Sequence, residues 1–259
     1  MLLACDVGNT NIVLGLFSGS DLITRWRLTT NRNRTADELR LSVSGLLKES
    51  DVETGCLDGI VVASVVPSLG PALREGLGPL VNDHLRCLTP STSPIRLDVD
   101  EPWSVGADRI ANAVAASRLY GAPILAIDFG TAVNFDLVGP DGAFLSGAIA
   151  PEMHLAARAL IDRAAQLHSV ELTPPPSVIG RSTQSNLQSG IVLGYFDLVA
   201  GLVRRFRAEV GTDLRTIATG GKGRMFHKAL DEIDLYDADL TLTGLRLCWE
   251  EWMDNSQPS

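Results

Sequence analysis

The hydrophobic positions near the start of the chain form three short apolar runs separated by turn residues. Apolar and β-branched residues cluster in residues 2–6, 11–17 and 21–28, and the sequences GNTN and SGSD lie between them. Such runs bounded by Gly, Asn, Ser and Asp are typical of β-strands. The pattern therefore predicts a β-meander of three strands joined by tight turns.

Helical spacing begins after the meander. The segment from Thr35 to Glu38 matches a capping box, and the apolar residues that follow it recur at helical intervals. The pattern then predicts a strand at 58–63, a helix after Pro67 and a short strand near 86–89. The Pro- and Ser-rich stretch TPSTSPIRLDVDEPWSVG predicts a loop, and it leads into the helical sequence ADRIANAVAASRLYG.

The second half of the chain repeats this order. Strands are predicted at 123–128, 132–138 and 143–150, and helical segments follow to the end. A strand-strand-strand-helix order that occurs twice predicts an α/β fold made of two similar domains with a cleft between them. We place the first domain at 1–117 and the second at 118–259.

The two halves also share a polar motif. Asp6 and Asp128 each follow an apolar run, and Gly8 and Gly130 come two residues later, before threonine-containing turns. An Asp at the end of a strand lies at the rim of a ligand cleft, and a glycine there lets a phosphate approach the backbone. One such motif alone is equally consistent with a simple hairpin turn. Two copies in matched context favour a phosphate cleft whose carboxylates suit a bound cation.

Composition and charge exclude several classes of function. A chain of 259 residues with 45% hydrophobic content can build one large or two modest cores, and a net charge of -9 disfavours binding to nucleic acid. Its longest uncharged apolar stretch, GIVVASVVPSLGPAL, is too short and too rich in proline to span a bilayer. Four scattered cysteines and four scattered histidines match neither a disulfide framework nor a zinc site. We therefore expect a cytoplasmic protein that has no nucleic-acid or membrane partner.

Four motifs in order carry a resemblance to a known family. The sequences DVGNTN, GADR, DFGTA and IGRST resemble those of type III pantothenate kinases, which belong to the acetate kinase, sugar kinase, Hsp70 and actin superfamily. The resemblance implies two ribonuclease H-like domains and ATP-dependent phosphorylation of pantothenate, the first step of coenzyme A synthesis. It also implies Mg²⁺ or another divalent cation, K⁺ or NH₄⁺ as a monovalent cation, and a cytoplasmic homodimer.

The resemblance also assigns roles to individual residues. Asp108 would accept the proton, Asp128 would hold the monovalent cation, and Asp6 is a candidate for the divalent cation. The substrate pantothenate would contact Gly106, Ala107, Asp108, Arg109 and Thr183. ATP would contact Asp6, Val7, Gly8, Asn9, Thr10, Asn11, Ile12, Val13 and Thr131. In the family the TGG turn lies towards the nucleoside, which makes Gly220 and Gly221 further candidates.

The chemistry of Asp108 and Arg109 is consistent with these roles. Transfer of a phosphoryl group to a primary alcohol needs a carboxylate to take the proton and donors to stabilise charge. Arg109 can hold the carboxylate of pantothenate through two hydrogen bonds. Taken without their context, an adjacent Asp and Arg at the start of a helix are more often a surface ion pair.

Three positions depart from the family pattern. Val99 stands where a tyrosine is common near the substrate, and Ser146 and Glu152 replace glycines in GGAIAPG. If the last glycine of that motif adopts a positive φ, Glu152 must strain or change the turn. Two alternatives stay open: a kinase for another small hydroxylated acid, and a catalytically silent nucleotide-binding homologue that regulates a partner. The intact acidic residues at the motifs disfavour the silent homologue.

Overall fold

The predicted alternation of strands and helices is confirmed by a computed structural model that describes residues 1–164 and 167–255. The strands are β1 (Leu2–Val7), β2 (Asn11–Ser18), β3 (Asp21–Thr29), β4 (Gly59–Ser64), β5 (Leu85–Leu88), β6 (Ile124–Phe129), β7 (Ala132–Val138), β8 (Phe144–Pro151), β9 (Arg215–Gly220) and β10 (Leu235–Tyr236). The helices are α1 (Ala36–Glu49), α2 (Gly70–Leu77), α3 (Ala107–Tyr120), α4 (Met153–Ile161), α5 (Thr183–Gln188), α6 (Gly194–Val210), α7 (Gly223–Ala229) and α8 (Leu240–Asp254). A π-helical turn, Ser189–Leu193, joins α5 to α6.

The first sheet has the strand order β3-β2-β1-β4-β5. The meander β1-β2-β3 is antiparallel, as its short turns require, whereas β4 pairs parallel to β1 and β5 pairs parallel to β4. Asp6 lies opposite Val13 of β2 on one side and Ala63 of β4 on the other. The predicted meander is therefore confirmed, and Asp6 lies on β1, the central strand of the five-stranded sheet.

The second sheet repeats the plan of the first. Its order is β10-β9-β6-β7-β8, with β6 antiparallel to β7 and parallel to β9. Asp128 lies opposite Asn134 of β7 and Thr219 of β9, so its strand is the counterpart of the strand that carries Asp6. The duplicated fold predicted from the order of elements is confirmed.

The chain forms two compact units whose bounds differ from the predicted domains. Unit 1 comprises residues 1–121, 140–145 and the chain from Asp239 onward, and unit 2 comprises 122–139 and 146–238. The sequence placed α8 in the second domain, whereas its apolar face packs in unit 1. Gly244 lets α8 pack closely against α3 in unit 1. A Cβ at Gly244 would lie 1.9 Å from the Ala111 carbonyl oxygen of α3, so a larger residue would not fit there.

Each unit has its own hydrophobic core. In unit 1 the apolar faces of β1, β2 and β4 pack against α1 and α2, and α1 begins with the predicted capping box between Thr35 and Glu38. In unit 2 the faces of β6 and β7 pack against α6 and α7, with Phe129 stacked on Phe226 at a centroid separation of 4.3 Å. These cores hold the central strands, and with them Asp6 and Asp128, in fixed positions.

One helical stretch has the length and composition of a membrane span. This stretch is Thr183–Val210, and 39% of its most apolar window is buried. Its side chains at Val192, Val199 and Val203 lie in the core of unit 2. Core packing therefore accounts for much of its apolar composition.

Candidate active site

The predicted phosphate loop of unit 1 is a tight turn between β1 and β2. The Gly8 amide donates to the Asn11 carbonyl oxygen at 3.0 Å, and a Cβ on Gly8 would lie only 3.2 Å from that oxygen. The sequence predicted a strand that ends at Asp6, but ladder pairing continues through Val7, so Asp6 is the penultimate residue of β1. The side chain of Thr30 supports the turn by donating to the Gly8 carbonyl oxygen at 2.7 Å.

The predicted ATP-contacting residues of this loop differ in exposure. Val7 and Ile12 are 0% and 2% exposed and belong to the core of unit 1. Asn9 and Thr10 are exposed. Val7 and Ile12 can therefore meet a ligand only through their backbone, whereas Asn9 and Thr10 can offer their side chains.

The start of α3 holds Asp108 in a partly buried position. Gly106 is the residue before the helix, and a Cβ there would lie 2.5 Å from Asp108 Oδ1, so glycine leaves room for the carboxylate. The Arg109 amide donates to the same oxygen at 2.8 Å. Burial raises the pKa of the Asp108 carboxyl above its usual range, and the hydrogen bond and charge of Arg109 oppose that rise. A carboxyl with a raised pKa suits proton transfer.

The Arg109 guanidinium lies over an aromatic ring. Its Cζ is 5.4 Å from the centroid of Phe144, a distance that allows a cation–π contact. Phe144 is fully buried and its amide donates to the Arg96 carbonyl oxygen at 2.9 Å, so the ring is fixed. This contact favours a position of the guanidinium over the Phe144 ring.

The phosphate loop and the start of α3 lie at the same edge of the first sheet. The Val65 amide donates to the Val7 carbonyl oxygen at 3.1 Å, just beyond the paired ends of β1 and β4. A Cβ on Gly106 would lie 3.6 Å from Val65 Cγ1. Val65 therefore links the two segments, and unit 1 brings the predicted ATP loop and the predicted proton acceptor to one edge.

In unit 2 the second motif also forms a tight turn between paired strands, one residue shorter than the first. The Gly130 amide donates to the Ala132 carbonyl oxygen at 3.0 Å, two residues later, whereas the Gly8 amide donates to Asn11, three residues later. Gly220, at the end of β9, has a φ of 81°, and a Cβ there would lie 2.5 Å from Asp128 Oδ1. The TGG turn therefore lies directly against the Asp128 carboxylate, and only glycine fits at this position. Thr131 lies between Gly130 and Ala132 in the turn after β6, and it is exposed.

The two replaced glycines have different outcomes. Glu152 has a φ of -71°, so no positive φ is required there, and its carboxylate accepts from the amides of His154 and Leu155 at the start of α4. Ser146 instead carries the strained backbone, with a φ of 68°. Glu152 therefore caps α4 without backbone strain, and the strained left-handed backbone conformation is at Ser146.

Glu152 also joins α4 to the TGG turn. Its Oε1 lies 3.0 Å from Lys222 Nζ, and Lys222 Nζ lies 2.6 Å from His154 Nδ1. The Glu152 carboxylate is only 14% exposed. This cluster fixes the residue that follows Gly220 and Gly221, and nothing in the sequence pattern indicated it.

The contact of Thr183 with pantothenate and the binding of cations at Asp6 and Asp128 stay predictions. Thr183 is the exposed first residue of α5, beside the Ser182 cap, and its contact with pantothenate stays a prediction. Within residues 1–164 and 167–255, no group of three or more His, Cys, Asp or Glu side chains could hold a metal ion. A cation at Asp6 or Asp128 would therefore need further ligands from backbone, substrate or water.

Comparison with sequence families gives one consistent result. The family model for type III pantothenate kinase matches residues 2–205. A type III pantothenate kinase from Thermomicrobium roseum is 45% identical over 251 residues, covering 96% of this chain and 97% of that protein. One from Frankia alni is 45% identical over 253 residues, covering 97% of this chain and 99% of that protein.

Solved structures share the fold at low sequence identity. A Campylobacter jejuni protein described as a member of the Baf family of transcriptional activators matches with a TM-score of 0.63 and 18% identity, over 97% of this chain and 99% of that chain. A polyphosphate/ATP-glucomannokinase from Arthrobacter matches with a TM-score of 0.52 and 14% identity, over 98% of each chain. These matches show that the chain shares its fold with these proteins.

Proposed function

The chain belongs to the type III pantothenate kinase family, and we propose that the residues at the edge of each sheet carry out that family's reaction. The function is ATP-dependent phosphorylation of pantothenate to 4'-phosphopantothenate, the first step of coenzyme A biosynthesis. The observation that supports the residue assignment best is the partly buried Asp108, whose carboxyl has a raised pKa, at the same edge of unit 1 as the phosphate loop.

Asp108 is the proposed proton acceptor. It takes the proton from the primary hydroxyl of pantothenate as the hydroxyl oxygen bonds to the γ-phosphorus of ATP and the bond to the β-phosphate oxygen breaks. Gly106 and the Arg109 amide hold the carboxylate in place. ADP leaves with the electron pair of the broken bond, and the proton remains on Asp108 until product release.

Arg109 and Thr183 are the proposed contacts to the rest of pantothenate. The guanidinium of Arg109, fixed over Phe144, can bind the pantothenate carboxylate by two hydrogen bonds. The exposed hydroxyl of Thr183 can donate one more. Gly106 and Ala107, which come directly before Asp108 in the chain, are the further proposed contacts to pantothenate.

The turns after β1 and β6 are the proposed ATP contacts. The segment from Asp6 to Val13 offers backbone amides and the side chains of Asn9 and Thr10 to the phosphates. The exposed Thr131 is a further proposed ATP contact. The open side of the TGG turn at Gly221 leaves space for the nucleoside.

The two strand-end carboxylates fit the proposed cations. Hard cations prefer oxygen ligands, which suits Mg²⁺ near Asp6 and K⁺ or NH₄⁺ near Asp128, where Gly220 keeps the carboxylate uncrowded. When bound, these cations neutralise charge on the phosphate oxygens. We further propose that the protein acts as a homodimer in the cytoplasm, as the family resemblance implies.

A coupled assay with pantothenate and ATP tests the function. We expect ADP formation in K⁺ or NH₄⁺ and a sharply lower rate when Na⁺ replaces both. Equal rates in all three salts would contradict the role of Asp128 as a monovalent-cation ligand. Because Val99 removes a common substrate contact, the assay includes other small hydroxylated acids. A faster rate with one of these would favour the alternative kinase function.

A further inference from the structure

A basic segment follows β3 and leads to the start of α1. Between Asp21 and Asp37 the chain has four arginines and no acidic residue, although the whole chain carries a net charge of -9. The last two of these arginines, Arg32 and Arg34, lie in the connection between β3 and α1. We call residues 30–34 the basic turn. In an otherwise acidic protein, this segment offers a local site for an anion.

The basic turn is attached to the phosphate loop by three hydrogen bonds. The Thr30 amide donates to the Thr10 carbonyl oxygen at 3.0 Å, and the Thr30 hydroxyl donates to the Gly8 carbonyl oxygen at 2.7 Å. Arg32 Nη2 donates to Asn9 Oδ1 at 3.1 Å. These bonds reach Gly8, Asn9 and Thr10 in turn, so the basic turn lies along the phosphate loop.

Local hydrogen bonds also fix the conformation of the basic turn itself. The Asn31 side-chain oxygen accepts from the Asn33 amide at 3.0 Å, and the Asn31 carbonyl oxygen accepts from the Arg34 amide at 3.1 Å. This arrangement of an Asn side chain with a following amide is a common turn device. It sets the position of Arg34 relative to the part of the turn that contacts the loop.

Arg34 has a buried donor that its surroundings do not satisfy. Its Nη1 is buried and, within the described part of the chain, has no hydrogen-bond partner. The Glu38 carboxylate accepts instead from the Thr35 amide and hydroxyl. These hydrogen bonds lower the pKa of Glu38 more than the charge of Arg34 does. Buried donors are normally paired, and an unpaired guanidinium nitrogen is unfavourable.

We propose that Arg32 and Arg34 form a subsite that binds the polyphosphate of the nucleotide beside the phosphate loop. A guanidinium binds phosphate oxygens through paired, charge-assisted hydrogen bonds. Arg34 is only partly buried, and a rotation of its side chain that exposes Nη1 would let a phosphate oxygen satisfy this nitrogen. Arg32 holds the Asn9 side chain on the adjoining loop. The inference rests on the proposed function, because it takes the phosphate loop as the ATP site.

Binding measured without turnover tests the subsite. Wild type and Arg34→Gln are titrated by calorimetry with ATP, adenosine, inorganic phosphate and pantothenate, each alone. We expect Arg34→Gln to weaken ATP binding roughly 10- to 100-fold, which is the value of a lost charge-assisted hydrogen bond. Binding of adenosine and pantothenate should not change.

A matched variant controls for charge and a second variant controls for folding. Arg40→Gln removes the same charge from a surface pair with Asp37 on α1, and it should leave ATP binding unchanged. Arg32 is exposed, so Arg32→Gln should fold even if Arg34→Gln does not. We expect Arg32→Gln to weaken ATP binding roughly 3- to 10-fold, because it removes one guanidinium and loosens Asn9.

Three outcomes would overturn the subsite. The first is unchanged ATP binding in Arg34→Gln, or in Arg32→Gln if Arg34→Gln does not fold. The second is a loss that falls on pantothenate, which would assign the arginines to a carboxylate. The third is a loss confined to inorganic phosphate, which would assign a free-phosphate site. A wild type that binds ATP but does not phosphorylate pantothenate would contradict the proposed function and leave the subsite testable by the same titrations.

Discussion

At the scale of single residues, the environment of Asp108 combines burial with local support. Burial raises the pKa of its carboxyl, while the Arg109 amide and charge favour the ionised form. A Cβ on Gly106 would displace this carboxylate. The position of Asp108 therefore depends on its neighbours on both sides in the chain.

Replacing Asp108 by Asn should separate chemistry from binding. Asn keeps the size of the side chain but cannot accept the proton, so turnover should fall roughly 10²- to 10⁴-fold. ATP affinity should persist, because the phosphate loop is unchanged. Steady-state kinetics and nucleotide titration measure the two effects, and Arg109→Ala provides the comparison, since it should raise the pantothenate requirement. Near-normal turnover of Asp108→Asn would make Asp108 an ion-pair partner.

The raised pKa of Asp108 also predicts a pH-dependent stability difference. The folded-state pKa of Asp108 lies above its unfolded-state pKa, so the unfolded chain loses this proton first as pH rises. Asp108 therefore lowers the free energy of unfolding as pH rises from the unfolded-state pKa through the folded-state pKa. Asp108→Asn should therefore be more stable than wild type near pH 7, and the difference should vanish below about pH 4. Thermal unfolding of both proteins across this range measures the effect. A difference that grows towards low pH would contradict the raised pKa.

At the scale of elements, close helix packing explains how α8 attaches to unit 1. Gly244 lets α8 approach the backbone of α3 at Ala111, and the Thr241 hydroxyl donates to the buried Asn112 side chain at 2.7 Å. Trp249 of the same helix lies against Gly59 of β4, where a Cβ would lie 2.0 Å from the ring. Glycines at both contacts make this packing possible.

Two glycine substitutions should have opposite effects on stability. Gly244→Ala would place a methyl group against the Ala111 carbonyl oxygen, so it should lower the free energy of unfolding by about 3 kcal/mol or more. Gly201→Ala, in α6, meets nothing closer than 3.9 Å and should raise it by about 0.5–1 kcal/mol. Urea unfolding measures both. Equal effects would mean that helix propensity, not close packing, decides the result.

The sequence predicted elements well where a local pattern decides them. Alternating apolar runs and the box at Thr35 located the meander and α1, because strand periodicity and capping depend on nearby residues. It could not show that Glu152 would pair with Lys222, because that contact joins residues far apart in the chain. The strain at Ser146 was likewise hidden, since only the backbone reveals which replaced glycine had the positive φ.

At the scale of the whole molecule, the repeated motif predicted the duplication but not the path of the chain. The turns at Gly8 and Gly130 follow from local sequence, and the structure confirms that each joins two antiparallel strands, although the second turn is one residue shorter. The return of α8 to unit 1 could not be predicted, because an amphipathic helix does not specify which apolar surface it covers. The sequence also could not show that the basic turn lies along the phosphate loop, because only the structure shows that Arg32 contacts Asn9.

A chain that ends at Ala238 tests the composition of unit 1. Without α8, the apolar surfaces of α3 and β4 that contact Gly244 and Trp249 would be exposed, so the shortened chain should aggregate or bind a hydrophobic dye. Solubility and dye fluorescence, compared with the full chain, measure this. A soluble product with cooperative unfolding of both units would instead support a boundary near residue 117.

The return of α8 has a consequence for biosynthesis. Domains usually fold in the order in which they leave the ribosome, at about 5–20 residues per second. Here all of unit 2 is made between the main part of unit 1 and α8. The unit that carries Asp108 is therefore translated first but completed last. Until the final helix emerges, the nascent chain exposes an apolar surface that a chaperone can cover.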